Sequence, residues 1–415
     1  MSTCGGRAVL AWVLTRSATV AVFMTSERSV ASDVKYYWVN LTALFHGTSA
    51  AHTLREYPLP GIATMLVQFG VTYGHRSLFE VVFVGSMLLV DGAFACVLWR
   101  RSSVRSRSAV WFWVAFVPLL GPTALFRFDL VPSVLAALAL LLLVSRPRVA
   151  GVVLGVATAV KGWPFLVLAS LARPRSSRRA VLSGFGVVAV VALVATALAG
   201  GISRVVSPLT WQSDRGLQIE SLVSTPLMLA RRVTDGHRWP ISMKYYAWQL
   251  EGPGVHALLL ASNVLQIIAA AVLLTLYFRA YQSGASTDSR TLAWLALASV
   301  LVFVAVNKTL SPQYLPWIAA LVAVVLLVDP SLAARRIAGV MLAVGVASHL
   351  VFPWLYGRIM AGTDPSGVGV ALLVLRNAAV LAMTIVATRI AFGSMGESRV
   401  GISERPDASQ PESRP

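Results

Sequence analysis

Three carboxylates lie in the long polar stretch between the first two apolar runs of the chain, at Glu27, Asp33 and Glu56. A positioned carboxylate can act as a general base, which typically accelerates a reaction by about 10²–10⁴-fold. Asp33 can equally be a solvated charge near a membrane surface, since the aromatic residues 36–38 are typical of an interfacial belt. The stretch therefore holds the candidates for a catalytic carboxylate, and both interpretations of Asp33 stay open.

A second polar pair, Arg127 and Asp129, lies between two short apolar runs. One interpretation is a local ion pair that caps the following helix, because Asp129 followed by Pro132 is typical of a helix start. The alternative is that Arg127 is poised over a buried cavity and is partly neutralised by Asp129. The two interpretations are compatible with each other.

Lys161 lies within the apolar segment 150–172, next to the helix-breaking residues 162–164. A cation inside the bilayer costs at least ~2.5–3.5 kcal/mol on insertion scales. It therefore requires an anionic partner or a wet cavity, unless the long side chain reaches the interface instead.

Lys308 follows the apolar run 291–306 and is less costly to place, so a simple surface position is also open for it. Pro312 stands near the first turn of the next run, which is a normal helix start. This start fixes the directions in which Gln313 and Tyr314 point.

Arg376 lies about eight residues inside the last apolar run, which corresponds to about 12 Å below the end of a helix. Asn377 follows it directly. An arginine at such a depth faces protein or ligand and not lipid. Asp91, in the second apolar run, is a candidate structural partner for Arg376.

These residues are positioned by ten apolar runs that are long enough, or nearly so, to cross a bilayer, for which about 20 residues are needed. The composition agrees, because 57% of the residues are hydrophobic and 13% are charged, whereas soluble proteins have about 25% charged residues. We therefore predict a polytopic membrane protein with about ten crossings. The runs are 8–24, 77–99, 109–125, 129–145, 180–200, 254–279, 291–306, 313–328, 336–355 and 368–390.

The orientation follows from arginine clusters beside these runs, because basic residues accumulate on the cytoplasmic side of membrane proteins. All the clusters can be cytoplasmic only if segment 150–172 re-enters as a hairpin broken at Lys161, near a proline that removes a backbone donor. Both termini are then inside and the polar motifs outside. The same placement accounts for the net charge of +18 without a nucleic-acid partner. The clusters are residues 100–107, 146–148, 173–179 and 335–336.

The boundaries of the membrane domain are predicted at residues 1 and 392, with a disordered cytoplasmic tail over 393–415. Ser29-Val30-Ala31 resembles a signal-peptidase site, but an uncleaved first span is favoured because Arg16 interrupts the preceding run. The stretch 59–73 is too short to span, which predicts an amphipathic helix in the interface. Both cysteines are placed inside, so no disulfide is expected, and no His/Cys spacing indicates a metal site.

Together these motifs resemble the GT-C-fold glycosyltransferases that use polyprenyl-phosphate sugars, and among them the actinobacterial mannosyltransferase-like family 87. The resemblance covers most of residues 25–390. It departs from the family pattern at Tyr57-Pro58-Leu59, where Tyr-Pro-Pro is usual, and in lacking a sizeable soluble carboxy-terminal domain. The motifs are Asp33 with Tyr36, Glu56-Tyr57-Pro58, Arg127-Phe128-Asp129, Lys161-Gly162-Trp163-Pro164, the stretches 215–221 and 308–314, and Arg376-Asn377.

The resemblance implies an all-α GT-C-like bundle of about ten transmembrane helices plus a re-entrant hairpin, in the cell membrane, with its active site facing outside. It implies transfer of a sugar, mannose first, from a polyprenyl-phosphate donor to a glycolipid or glycan acceptor, with inversion and with Asp33 as the base. No metal or cofactor is implied. The donor phosphate is assigned to Lys161, Arg215, Lys308 and Arg376, and the substrate to Glu56, Tyr57, Arg127, Asp129, Gln218, Glu220, Gln313 and Tyr314.

Two other classes compete with an enzyme: a transporter or flippase of a lipid-linked glycan, and a non-catalytic assembly subunit. A transporter is expected to have broken helices in two related halves, with polar groups near the midplane. This sequence has one predicted broken hairpin, no evident repeat, and polar motifs concentrated at one face. The pattern therefore favours the glycosyltransferase.

Overall fold

The computed structural model describes residues 3–170, 175–234, 236–282, 288–362 and 367–403. Its helices and short strands confirm the predicted all-α class. In chain order they are α1 Thr3–Thr25, α2 Ser32–Phe45, α3 Leu59–Val71, α4 Arg76–Arg101, α5 Ser108–Leu120, α6 Leu130–Leu142, α7 Pro147–Val160, α8 Arg175–Gly200, α9 Ile202–Asp214, β1 Leu217–Gln218, α10 Thr225–Val233, β2 Ile241–Lys244, β3 Ala247–Leu250, α11 Val255–Gln282, α12 Ser289–Val306, α13 Leu315–Val328, α14 Leu332–His349, α15 Tyr356–Ala361 and α16 Val368–Ser403.

Within the described ranges, seven helical segments are long and apolar enough to cross a membrane. They contain α1, α4, α8, α11, α12, α14 with α15, and α16, so a polytopic membrane protein is confirmed. Three other predicted spans form the shorter helices α5, α6 and α13, of 13, 13 and 14 residues. At about 1.5 Å per residue each of them measures about 20 Å, which is less than the hydrocarbon thickness of about 30 Å.

The predicted break at Lys161 is confirmed. α7 ends at Val160, Lys161 has an extended backbone with φ −156° and ψ 126°, and a 3₁₀-helix begins at Trp163. α7 packs closely against α8 because glycines face each other: a Cβ at Gly151 would collide with the carbonyl oxygen of Val181. Small residues allow such close approach of helices in membranes. The packing fixes the height at which α7 presents Lys161.

The two ends of the helix bundle differ in their charged groups. At one end, which we call the arginine end, Arg101 donates to the carbonyl of Leu141 and Arg290 pairs with Asp329. α12 runs from this end to the other, since Arg290 lies at its start and Lys308 just beyond its finish. We call the second end the polar end, because the loops predicted to be outside meet there.

The polar stretch between α1 and α4 is more helical than the sequence indicated. α2, which the sequence analysis did not predict, carries Asp33 in its first turn. The predicted helix near 59–73 is observed as α3, whose buried residues Ile62, Met65 and Phe69 lie on one face. At the other terminus, α16 continues to Ser403, so the predicted tail is helical over its first part; residues 404–415 lie outside the described residues.

Asp91 is not the partner of Arg376. It lies fully buried in α4 and pairs with Arg16 of α1, whose Nε and Nη2 lie 2.8 Å from its two carboxylate oxygens. The indole nitrogens of Trp12 and Trp113 donate to the same carboxylate at 2.6 and 2.8 Å. Four charge-assisted hydrogen bonds therefore compensate the burial of both charges.

Arg16 also compensates a defect in the neighbouring helix α5. Pro118 has no backbone N–H, so the carbonyl of Val114 one turn earlier cannot form its usual helical hydrogen bond. The Nη1 atom of Arg16 donates to that carbonyl at 2.6 Å. One guanidinium thus satisfies polar groups of both α4 and α5, and it ties α1 to the two helices.

Candidate functional site

Asp33 lies at the polar end, where Arg127 orients it. The Nε of Arg127 lies 2.9 Å from Oδ2 of Asp33, and the two side chains are 8% and 35% exposed. Arg127 also donates through Nη1 to the carbonyl of Val30, just before α2. The arginine therefore fixes both the carboxylate and the backbone that enters its helix, while leaving the carboxylate partly open to solvent.

The predicted pairing of Arg127 with Asp129 is wrong. Asp129 is fully buried, and its Oδ1 accepts hydrogen bonds from Lys161 Nζ at 2.6 Å and from Trp317 Nε1 at 2.8 Å. It occupies the N-cap position of α6, but its side chain makes no capping bond to the described helix. The physical reason is that Lys161 would otherwise be an unpaired buried cation, so the carboxylate is drawn to it.

The anionic partner that Lys161 was expected to need is thus present. Its ammonium group also lies 5.2 Å from the ring centre of Tyr57 and 5.6 Å from that of Trp317, within cation–π range. Trp317 is stacked between Trp163 at 4.8 Å and Tyr314 at 4.0 Å. Lys161 is therefore enclosed by aromatic rings and a carboxylate.

Glu56 lies beside this cluster and near Tyr36. Burial raises the pKa of Glu56 above its ordinary value of 4.5, against the opposing effects of its own backbone N–H, of Tyr36 and of the charges of Arg215 and Lys161. Glu56 in the loop 46–58 therefore lies near both α2 and Arg215, which directly follows α9.

Arg204, which the sequence analysis missed, holds the loop that carries Glu56 and Tyr57. The residue is buried in α9, and its guanidinium donates to the backbone carbonyls of Ala50, Thr53, Leu54 and Tyr57. Ser207, one turn later in α9, donates to the carbonyl of Arg55. The only sequence signal was an arginine and a serine on one face of a short helix, which does not distinguish a clamp from a solvated face.

Two further cations, Lys308 and Arg215, lie close to each other, and Arg215 also lies near Glu56. Lys308 donates to the carbonyl of Ser213 at 2.8 Å, and Arg215 donates to the carbonyl of Tyr245 at 3.1 Å. Burial lowers the pKa of Lys308, and the neighbouring charge of Arg215 adds to the effect against the opposing charge of Asp214. Two positive groups held by neutral carbonyls form an electropositive position that suits an anion.

Gln218 and the residues around Tyr314 connect the polar loops to one another. Gln218 is buried, its backbone N–H donates to the carbonyl of Lys308, and its Oε1 accepts from the N–H of Leu310. The Tyr314 hydroxyl lies 3.3 Å from Oγ1 of Thr309. Gln313, at the start of the same turn, is half-buried. The hydrogen bond from the Gln218 backbone to the Lys308 carbonyl fixes the position of Lys308 relative to β1.

Arg376 faces a protein carboxylate, and that carboxylate is Glu220. The Nη1 of Arg376 lies 2.6 Å from Oε2 of Glu220, Nη2 donates to the Glu220 carbonyl, and both side chains are almost fully buried. Asn377 completes the contact by donating to the carbonyl of Ser221 and to Oγ1 of Thr225. The pair therefore fastens the segment 220–225 to α16.

The raised pKa of Glu56 predicts an unusual pH dependence of stability. The folded state binds the Glu56 proton more tightly than the unfolded state does. The stabilisation that this proton gives the protein is fully present below pH 4.5. It is lost as the pH rises through the raised pKa of Glu56 in the folded state. The side chain in Glu56→Gln has no titratable proton and stays neutral at every pH in this range. We expect the variant to melt above the wild type near neutral pH, with a gain that shrinks as the pH falls towards 4.5.

Glu251→Gln is the matched control for this measurement, because hydrogen bonds from Lys244 and Ser242 lower the pKa of Glu251. Its stabilising contribution is present above the ordinary pKa of 4.5 and is lost as the pH falls through the lower folded value. The control should therefore melt below the wild type near neutral pH. A Glu56→Gln melting difference that is constant from acid to neutral pH would contradict the prediction.

Part of the chain matches a known protein family. Residues 80–234 match glycosyltransferase family 87, which is less than half of the chain and includes Arg127, Asp129, Lys161, Arg204, Arg215 and Glu220. The match confirms the resemblance seen in the sequence and indicates a glycosyltransferase. No curated protein and no solved structure matches the chain. In the described ranges, no three His, Cys, Asp or Glu side chains are grouped as metal ligands.

Proposed function

We propose that the protein transfers a sugar, with mannose as the first candidate, from a polyprenyl phosphate to a hydroxyl of a glycolipid or glycan acceptor. The observation that carries the proposal is the continuity of the polar end. Asp33 lies one helical turn before Tyr36, Tyr36 lies near Glu56, Glu56 lies near Arg215, and Arg215 lies near Lys308. A partly exposed carboxylate and an electropositive position are thus joined by a short series of neighbouring residues.

This arrangement supports a reaction with a single base. The acceptor oxygen forms a bond to the anomeric carbon as its proton passes to Asp33. The bond between that carbon and the phosphate oxygen breaks, and polyprenyl phosphate leaves with the electron pair. Attack from the face opposite the phosphate inverts the anomeric configuration, and a phosphate needs no second carboxylic acid to leave.

The four cations have different partners, and we assign them different roles on that basis. Lys308 and Arg215 hydrogen-bond carbonyl oxygens in the described chain, so we assign them to the departing phosphate, whose growing charge they stabilise. Lys161 and Arg376 each pair with a buried carboxylate. We therefore assign these two to positioning of the site, which revises their predicted role as phosphate ligands.

We further propose that the polar end faces outside the cell and that the arginine end is cytoplasmic. The test uses single cysteines in a background with Cys4→Ser and Cys96→Ser. Cysteines at the exposed positions Ser32 and Ser213 should react with a membrane-impermeant thiol reagent in intact cells. A cysteine at Ser103, which is exposed at the arginine end, should react only after the cells are opened. The reverse pattern would place the site inside and contradict the proposal.

A further inference from the structure

The turn between β2 and β3 consists of two tyrosines in an unfavourable backbone conformation. Tyr245 and Tyr246 have φ values of 52° and 55°. A two-residue hairpin turn with positive φ at both positions is typical of Asn-Gly, because bulky side chains are disfavoured there. Strained residues persist where the surrounding structure holds them, and they cluster at functional sites. The two rings therefore call for an explanation beyond turn formation.

The rings of the turn lie against aromatic residues of two other elements. Tyr246 packs on Tyr36 with 3.9 Å between ring centres, and Tyr245 meets Trp211 edge-on at 5.2 Å. Tyr245 and Tyr246 are 37% and 64% exposed. We call these four residues the aromatic rim. Because the rings of Tyr245 and Tyr246 remain accessible, the rim is a surface for a flat apolar face and not a closed core.

The rim borders the proposed reaction centre. Tyr36 follows Asp33 by three residues in α2, so both side chains lie on the same face of that helix. Tyr36 lies near the Glu56 carboxylate, and Arg215 donates to the carbonyl of Tyr245. A molecule seated on the rim would therefore reach Asp33 without leaving the site.

Three buried polar atoms beside the rim have no hydrogen-bond partner in the part of the chain that the structure describes. They are Oε2 of Glu56, Nε1 of Trp211 and Nε of Arg215. The first accepts hydrogen bonds and the other two donate them. Buried polar groups are normally paired, so an unpaired set points to a ligand that carries both donors and acceptors.

We propose that the aromatic rim binds a sugar ring of the acceptor and presents one of its hydroxyls to Asp33. A sugar ring offers an apolar C–H face to the exposed rings and hydroxyls, each both donor and acceptor, to the three unpaired atoms. The inference rests on the proposed function, because it assigns the second substrate of the same site. It names that substrate as a glycan and not as a lipid recognised by its chain.

A membrane surface is the other partner that exposed aromatic rings could have. The neighbourhood of the hairpin argues against it. Lys244 and Glu251 form a salt bridge of 2.7 Å with both side chains about half exposed, and Ser242 donates to the same Glu251 carboxylate. Charged groups beside the turn favour a hydrated position over insertion into lipid.

The test exploits the strain of the turn. Tyr245→Asn with Tyr246→Gly supplies the residues that this backbone prefers, so the double variant should melt at or above the wild-type temperature. The same variant removes two rings of the rim. The measurement is saturation-transfer NMR on protein in lipid nanodiscs, with methyl mannoside, methyl glucoside and methyl galactoside as ligands. We expect the wild type to give signals from the ring protons of at least one of these sugars. The variant should give no such signals.

Two control variants separate stacking from strain. Tyr245→Phe with Tyr246→Phe keeps the rings and should keep the sugar signal. Tyr73→Asn relieves another tyrosine with positive φ, 49°, that is 88% exposed and lies outside the rim, and it should leave the signal unchanged. Binding that persists in the Asn-Gly variant, or a wild type that binds none of the three sugars, would overturn the proposal. So would a nitroxide label on Tyr246→Cys, in the background with Cys4→Ser and Cys96→Ser, that is relaxed by oxygen and not by a water-soluble nickel chelate, because that result would place the turn in lipid.

Consumption of a polyprenyl-phosphate sugar, measured on the same samples, distinguishes this inference from the proposed function. A wild type that binds sugar at the rim but never consumes the donor would refute the proposed donor and leave the rim standing. A wild type that consumes the donor, with an Asn-Gly variant of unchanged acceptor KM, would refute the rim alone. The expected outcome is a raised acceptor KM with an unchanged donor KM.

Discussion

Replacing Asp33 with asparagine is expected to lower turnover by about 10²-fold or more while leaving the amount of folded protein unchanged. Asparagine keeps the shape of the side chain, and its carbonyl oxygen can still accept the hydrogen bond from Arg127. It cannot take the acceptor proton. The loss should therefore appear in kcat, since neither the electropositive position nor the aromatic rim is altered.

The measurement is consumption of a polyprenyl-phosphate sugar by purified protein in detergent, with the lipid-linked sugars analysed by mass. Glu80→Gln, on α4, is the control for removal of an acidic side chain from the same part of the sequence. Near-normal turnover of Asp33→Asn, together with a large loss in Glu56→Gln, would transfer the role of base to Glu56. Near-normal turnover of both variants would show that neither carboxylate is the base.

Replacing Arg376 with methionine is expected to lower the free energy of unfolding by about 3–5 kcal/mol, because it leaves the buried carboxylate of Glu220 without its ion-pair partner. Adding Glu220→Gln to the variant removes that charge and should restore part of the loss. The comparison of the two single variants with the double variant isolates the energy of the pair. Thermal or denaturant unfolding in detergent measures each value.

Melting with and without polyprenyl phosphate separates positioning from phosphate binding. We expect the lipid to raise the wild-type melting temperature, and Arg376→Met to melt lower with the lipid shift retained. Lys308→Met, the matched loss of one cation, should melt near the wild type without lipid and lose the shift. An Arg376→Met variant of normal melting temperature that no longer responds to the lipid would return Arg376 to the phosphate site.

The helices could be predicted because each depends on a local property. A run of apolar residues predicts a span at whatever place it occurs, so α4, α8 and α11 were located to within a few residues. The break at Lys161 was predictable for the same reason, since glycine and proline act on the residues beside them. α2 was missed because its polar and aromatic residues do not form such a run.

The partners of the charged residues could not be predicted, because they depend on which helices become neighbours. Arg127 was expected to pair with Asp129, two residues away. In the structure Arg127 pairs with Asp33, and Asp129 pairs with Lys161. Arg204 binds backbone carbonyls roughly 150 residues earlier in the chain. Backbone oxygens are the same at every residue, so no sequence pattern marks them as the targets of an arginine.

The Arg16–Asp91 pair constrains how the protein is assembled in the membrane during synthesis. The two residues are separated by 75 positions, so α1 leaves the ribosome long before the carboxylate that neutralises its arginine. Each charge alone costs at least ~2.5–3.5 kcal/mol to insert. The same guanidinium also donates to the carbonyl of Val114, which is synthesised later still. α1, α4 and α5 therefore reach their final depth together, and a nascent chain that ends before α4 holds an arginine for which the bilayer offers no partner.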